Sequence, residues 1–157
     1  MKSIWLMYHD VYAKDPAPGI PRSASMYHVS KDVFAQHLFA IRASGRYVIT
    51  ASEFARGCDS NSVVMTFDDG WRGAMETAIP MLQEFGFRAT FFITQDFVGR
   101  KGFCDQSLIL KAPNAGMEVG AHGRTPRMLP CCSREEIMWE LSTCKEFLES
   151  ILQRRVV

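Results

Sequence analysis

Short, mostly apolar runs stand at 4–8, 47–50, 63–67, 89–94 and 117–121, each bounded by polar or turn-forming residues. Runs of that length between such signals predict buried strands. Between them the spacing changes to three and four. Phe34, Leu38 and Ile41 share one face of a helix that Ser30 caps and that runs to about Ser44, with Gly45 as its stop. Met75, Ala78, Ile79, Leu82 and Phe85 share a face of a second helix, from Arg72 to Phe85. Pro80 inside it predicts a kink and Gly86 its end. Asp105 or Ser107 opens a third, ending near Gly116. Ile137, Leu141, Cys144, Leu148 and Ile151 mark a long last helix. Two capping boxes reinforce the pattern, Thr50 with Glu53 and Ser133 with Glu136. The stretch from Ala13 to Ser25 holds Pro16, Pro18 and Pro21 and predicts no regular structure. Val156–Val157 reads as the start of a sixth strand.

Strands alternating with helices predict an α/β fold with a mostly parallel sheet and right-handed crossovers. The 157 residues form one domain, 1–157, with no repeat, low-complexity tract or linker. Net charge is +1, which gives no basic field for nucleic acid. No apolar run is long enough to span a bilayer. The N-terminus lacks the apolar core and cleavage site of a signal peptide. The five cysteines, at 58, 104, 131, 132 and 144, match no zinc-ligand spacing and read as small, mostly buried thiols in a reducing compartment. The expected location is therefore cytoplasmic.

In a parallel sheet the chemistry collects at the carboxyl ends of the strands. Three polar groups fall there: His9, the pair Asp68–Asp69, and His122. Adjacent carboxylates raise the cost of ionising each other, and a cation between them removes that cost. Carboxylate oxygen and imidazole nitrogen suit one divalent ion, so Asp69 and His122 are candidate ligands and Asp68 a candidate base toward water. The bland alternatives are a solvated Asp-Asp-Gly turn and a structural histidine. His28 and His37 read as helix-packing residues.

The segment MTFDDGWRGAMETAIPMLQEFGFRATFFIT (65–94) resembles the first motif region of the polysaccharide deacetylases, the NodB-homology or carbohydrate esterase family four. GMEVGAHGRTPRMLP (116–130) resembles their second, and LMYHDV with the following helix and strand resembles the N-terminal part of the same domain. The resemblance implies a distorted (β/α) barrel and a metal-dependent hydrolase that removes N- or O-acetyl groups from sugar polymers. It implies Asp68 as base, Asp69 and His122 as ligands of a divalent metal, zinc first, and His9 and Trp71 as substrate-binding residues. The implied partner is an N-acetylated polysaccharide or oligosaccharide.

Two departures stand out. The second metal histidine of the family falls at position 126, which is Pro126, and Arg127 beside it offers no ligand. The zinc site is therefore expected to be weakened; His9 is a possible substitute ligand, though lining the site is the plainer role. The family's later motifs have no counterpart in the chain, so five to six parallel strands of an incomplete barrel are expected, with self-association through an open sheet edge as a consequence. A catalytically inactive relative that binds glycan, or a fragment with no independent activity, is the alternative. A phosphohydrolase with paired aspartates is disfavoured because Asp68 and Asp69 are adjacent rather than spaced by one residue.

Overall fold

The structure, a computed structural model, describes residues 2–16, 20, 25–57 and 61–157. In chain order these form β1 (Ile4–Tyr8), β2 (Asp10–Tyr12), β3 (His28–Ser30), α1 (Lys31–Ala43), β4 (Tyr47–Ile49), α2 (Ala51–Ala55), β5 (Ser62–Phe67), α3 (Ile79–Phe85), β6 (Thr90–Ile93), α4 (Gln106–Asn114), β7 (Glu118–Ala121) and α5 (Arg134–Leu152). Pro18, Pro21 and Cys58 lie outside the described residues.

Five strands make one parallel sheet. Every residue of β5 is buried, as expected of a central parallel strand. Val63 pairs with Ile4 of β1 and with Val48 of β4, and Thr66 pairs with Met7 of β1 and with Thr90 of β6. A strand has two edges, so β4 and β6 share the one opposite β1. Beyond β6 lies β7, in register from Thr90–Glu118 to Ile93–Ala121. Past β7, the Ala121 N–H donates to the Val157 carbonyl at 2.7 Å, the first contact of the expected sixth strand.

The helices take their ends from the sequence. Ser30 caps α1, Asp105 caps α4, and both capping boxes form, at Thr50–Glu53 and Ser133–Glu136. One face of the sheet meets α1 and α3, where Phe34, Leu38, Leu82 and Met65 are fully buried. Phe67 stacks on Phe91 with centroids 4.6 Å apart, carrying that core from β5 to β6.

Four expectations are corrected. The kink expected at Pro80 takes the form of a π-helical turn, Ala74–Ala78, directly before it; Pro80 has no N–H for the Glu76 carbonyl, so the ladder changes pitch there. His28 is not on a helix but on β3, which pairs in parallel with β2 in a small second sheet. The thiols, expected to be mostly buried, divide: among the described residues Cys104 and Cys144 are buried, Cys131 is exposed and Cys132 half-buried. In α5 the inward position next to Leu141 is taken by Glu140, 1% exposed, while Leu141 is 39% exposed.

Candidate functional site

Four strand ends deliver the site. β1 leads into His9, β5 into Asp68–Asp69, β6 into Thr94 and β7 into His122. The backbone locks them together: Asp68 N–H donates to the Tyr8 carbonyl at 2.9 Å, and His122 N–H to the Ile93 carbonyl at 2.9 Å. His9 N–H donates to the Tyr27 carbonyl at 2.8 Å, and the two rings stack 5.0 Å apart.

The Asp68–Asp69–Gly70 turn is sharp. Asp69 has φ +70° and Gly70 +81°, the left-handed region that Asp tolerates and Gly favours. A Cβ on Gly70 would stand 3.1 Å from Ile93 Cδ1 and 3.2 Å from Cys104 Sγ. Gly73 has a different constraint, close approach: a Cβ there would meet Asp10 Oδ1 and lie 2.7 Å from the Val11 carbonyl oxygen. The turn therefore aims the two carboxylates apart while the helix behind it seats on β2.

Each carboxylate faces an imidazole. His122 Nε2 lies 3.4 Å from Asp68 Oδ2, and His9 Nε2 lies 3.6 Å from Asp69 Oδ2. Thr94 Oγ1 donates to Asp69 Oδ1 at 3.2 Å. The Asp68 carboxylate raises the pKa of His122; burial opposes it, and the charge of Asp69 adds to the rise. Asp68 Oδ1 and His9 Nδ1 are buried without a hydrogen-bond partner. Beneath the rim, Trp5, Thr66, Phe92, Ala121, Leu129 and Leu141 line an apolar cavity of about 370 Å³ that Asp68 and His122 border.

All four residues expected at the rim are thus brought together, and in place of a freely solvated turn the Asp68 and Asp69 side chains are 18% and 24% exposed and each faces an imidazole. Trp71 packs within an aromatic cluster: its ring lies 4.3 Å from Phe103 and 4.6 Å, edge on, from His28, and its Nε1 is buried. Behind it Asp10 and His28 are both buried, with Oδ2 and Nδ1 3.9 Å apart. His37 Nδ1 shares a hydrogen bond with the Tyr8 hydroxyl at 3.1 Å, a packing role. Sequence reasoning missed Thr94 and Glu140. Thr94 carried a signal, as the polar residue that closes the apolar run 89–94; Glu140 carried none.

The donor types fit a divalent ion such as zinc, and the unpartnered Asp68 Oδ1 and His9 Nδ1 leave polar capacity at the site. The ligand count is short. Pro126 is exposed and bears no donor, and among the described residues no three His, Cys, Asp or Glu side chains are grouped to hold a metal.

A parallel sheet with two aspartates and two histidines at its carboxyl ends is an α/β domain with a polar site on its strand-end rim. The sequence profile of the polysaccharide deacetylases matches residues 56–157, and the chain belongs to that family. It is 20% identical over 156 residues to a putative polysaccharide deacetylase, YxkH, of Bacillus subtilis, covering 96% of this chain and 52% of the relative. The fold is similar to that of the Streptococcus pyogenes deacetylase PplD in complex with acetate, with a TM-score of 0.83 at 20% identity over 100% of this chain and 72% of that one. It is also similar to BC0361, a polysaccharide deacetylase from Bacillus cereus, with a TM-score of 0.80 at 27% identity over 100% of this chain and 49% of that one. The chain thus has the α/β architecture of the deacetylase barrel and spans about half the length of its curated relative. Among the described residues no helix is long and apolar enough to cross a membrane.

Proposed function

We propose that this site hydrolyses acetyl groups on a sugar polymer, with N-acetylated sugars as the first substrate class and O-acetylated sugars as the second. The observation that carries the reading is Asp68. It closes a buried strand inside the family-matched region, touches His122 on one oxygen, and keeps the other oxygen without a partner.

In this reading Asp68 Oδ1 takes a proton from the attacking water as the water adds to the acetyl carbonyl. Collapse of the tetrahedral centre breaks the bond to the sugar nitrogen and releases acetate. The proton held at Asp68 is then available to the departing amine. Asp69, held by Thr94 and flanked by His9, is assigned to holding a cation rather than to moving the proton. A divalent cation, zinc first, would be held by Asp69 and His122 and, when bound, would polarise the carbonyl and acidify water. His9 is assigned to the substrate wall, and Trp71 supports that wall from within the aromatic cluster.

The test is acetate release from N-acetylglucosamine oligomers by the purified chain with zinc supplied, beside Asp68→Asn. Saturable release that the variant loses supports the reading; equal release by both proteins sinks it. Pro126 favours a second reading, a relative that binds acetylated glycan without cleaving it. Oligomer binding by calorimetry with no acetate formed would establish that one.

A further inference from the structure

Glu140 anchors α5 to the loop that carries His122. Its buried carboxylate accepts the Thr125 N–H at 2.7 Å and the Thr125 hydroxyl at 2.5 Å. The same loop is tied to the end of β6, with Gln95 N–H donating to the Gly123 carbonyl at 3.1 Å and Asp96 N–H to the Arg124 carbonyl at 2.9 Å. The first turns of α5 are therefore held in a fixed relation to His122. The residues on either side of Glu140 are large and apolar, and both are open to solvent: Trp139 is 48% exposed and Leu141 39%. Leu141 lines the cavity that Asp68 and His122 border. Trp139 stands beside Arg124, two residues beyond His122, whose guanidinium carbon is 4.7 Å from the ring centroid. Arg124 is itself steadied by Asp96, Nε to Oδ1 at 3.6 Å.

An indole left half-open against Arg124 of the loop that carries His122, with a guanidinium over one side of the ring, is a candidate stacking platform. Aromatic rings bury a large area at little cost in side-chain entropy and combine an apolar face with a polar handle. Pyranose rings present axial C–H groups on one face and hydroxyls around the edge, which complement an open indole beside the Arg124–Asp96 pair. We propose that Trp139 and Arg124 form a sugar-ring subsite next to the Asp68–His122 pair. It holds a neighbouring residue of the polymer, not the one that loses its acetyl group, and makes the site prefer chains over single sugars. Trp139 is a binding residue here and Arg124 positions it. The inference rests on the reading of the site as one that accepts acetylated sugar polymers.

The experiment is calorimetric titration of the whole chain with N-acetylglucosamine and its oligomers of increasing length, for the wild type, Trp139→Ala, Trp139→Tyr and Arg124→Ala. Thermal unfolding checks that each variant is folded. Wild type should bind the longer oligomers more tightly than the single sugar. Trp139→Ala should lose about tenfold of that affinity, the value of one well-formed aromatic contact, with the single sugar unaffected. Trp139→Tyr should keep most of the gain, and Arg124→Ala should lose part of it. If acetate release is present, Trp139→Ala should raise KM and leave kcat unchanged. A folded Trp139→Ala that binds every length as wild type does would overturn the subsite while leaving the deacetylase reading standing. Wild type that binds no oligomer would overturn both.

Discussion

Glu140 and Thr125 form a buried pair that joins α5 to the loop of His122: a carboxylate 1% exposed accepts both the N–H and the hydroxyl of one threonine. Both oxygens of Glu140 are taken by Thr125, so the pair acts by holding the scaffold. Glu140→Ala leaves two donors without an acceptor and should cost about 1.5–3 kcal/mol, the range for hydrogen bonds to a charged group. Urea unfolding measures it. A loss below about 0.5 kcal/mol, the level of an ordinary surface change, would mean the pair carries no weight.

The same pair sets a pH dependence. Burial works hardest against ionised Glu140, yet the bonds from Thr125 and the Arg124 backbone outweigh it and hold the carboxyl below its usual range. A folded value below the unfolded one adds stability above the ordinary carboxylate range, and that part is lost as pH falls through the folded value. The stability gap between wild type and Glu140→Gln should therefore be widest near neutral pH and close in acid. A gap that stays constant with pH would show that Glu140 does not titrate this way.

Gly70→Ala tests the turn. It asks a side chain to adopt φ +81° and to press on Ile93 and Cys104. Left-handed strain costs of order 1–3 kcal/mol, and the displaced turn moves Asp68 off His122. Reduced melting temperature together with weaker oligomer binding is expected. An unchanged melting temperature would show that the turn relaxes freely.

Much of this was legible in the sequence because it is local. The capping boxes at Thr50–Glu53 and Ser133–Glu136 need only four residues each, and both form. The strand runs ending at Tyr8, Phe67 and Ala121 place His9, Asp68–Asp69 and His122 on one rim through the rule for parallel sheets. What was not legible is long-range. β2 and β3 have three residues each, and the stretch between them predicts no structure, so neither shows a period. His28 is buried by its pairing with β2 and the edge of Trp71, which nothing next to it in sequence announces. Glu140 looks like a solvent position on an amphipathic helix until Thr125 is placed against it.

Pro126 is the sharpest departure from the family, and Pro126→His addresses it. If the loop keeps the family's geometry, the new imidazole becomes a third ligand beside Asp69 and His122, and zinc affinity should rise at least about tenfold, in line with the three ligands of catalytic zinc. Competition against a chromogenic chelator reads it. Asp69→Ala should remove the binding that remains, and Asp68→Ala should spare it. No gain from Pro126→His would mean that the exposed loop holds position 126 away from the site.

The most direct measurement is acetate release from an N-acetylglucosamine oligomer with zinc in the buffer, comparing the wild-type chain with Asp68→Asn. Release by the wild type that falls at least about a hundredfold in the variant is the predicted outcome, the low end of what a positioned acid–base group contributes. Release that survives the loss of the Asp68 charge would contradict the account, because the chemistry would then lie somewhere other than the end of β5.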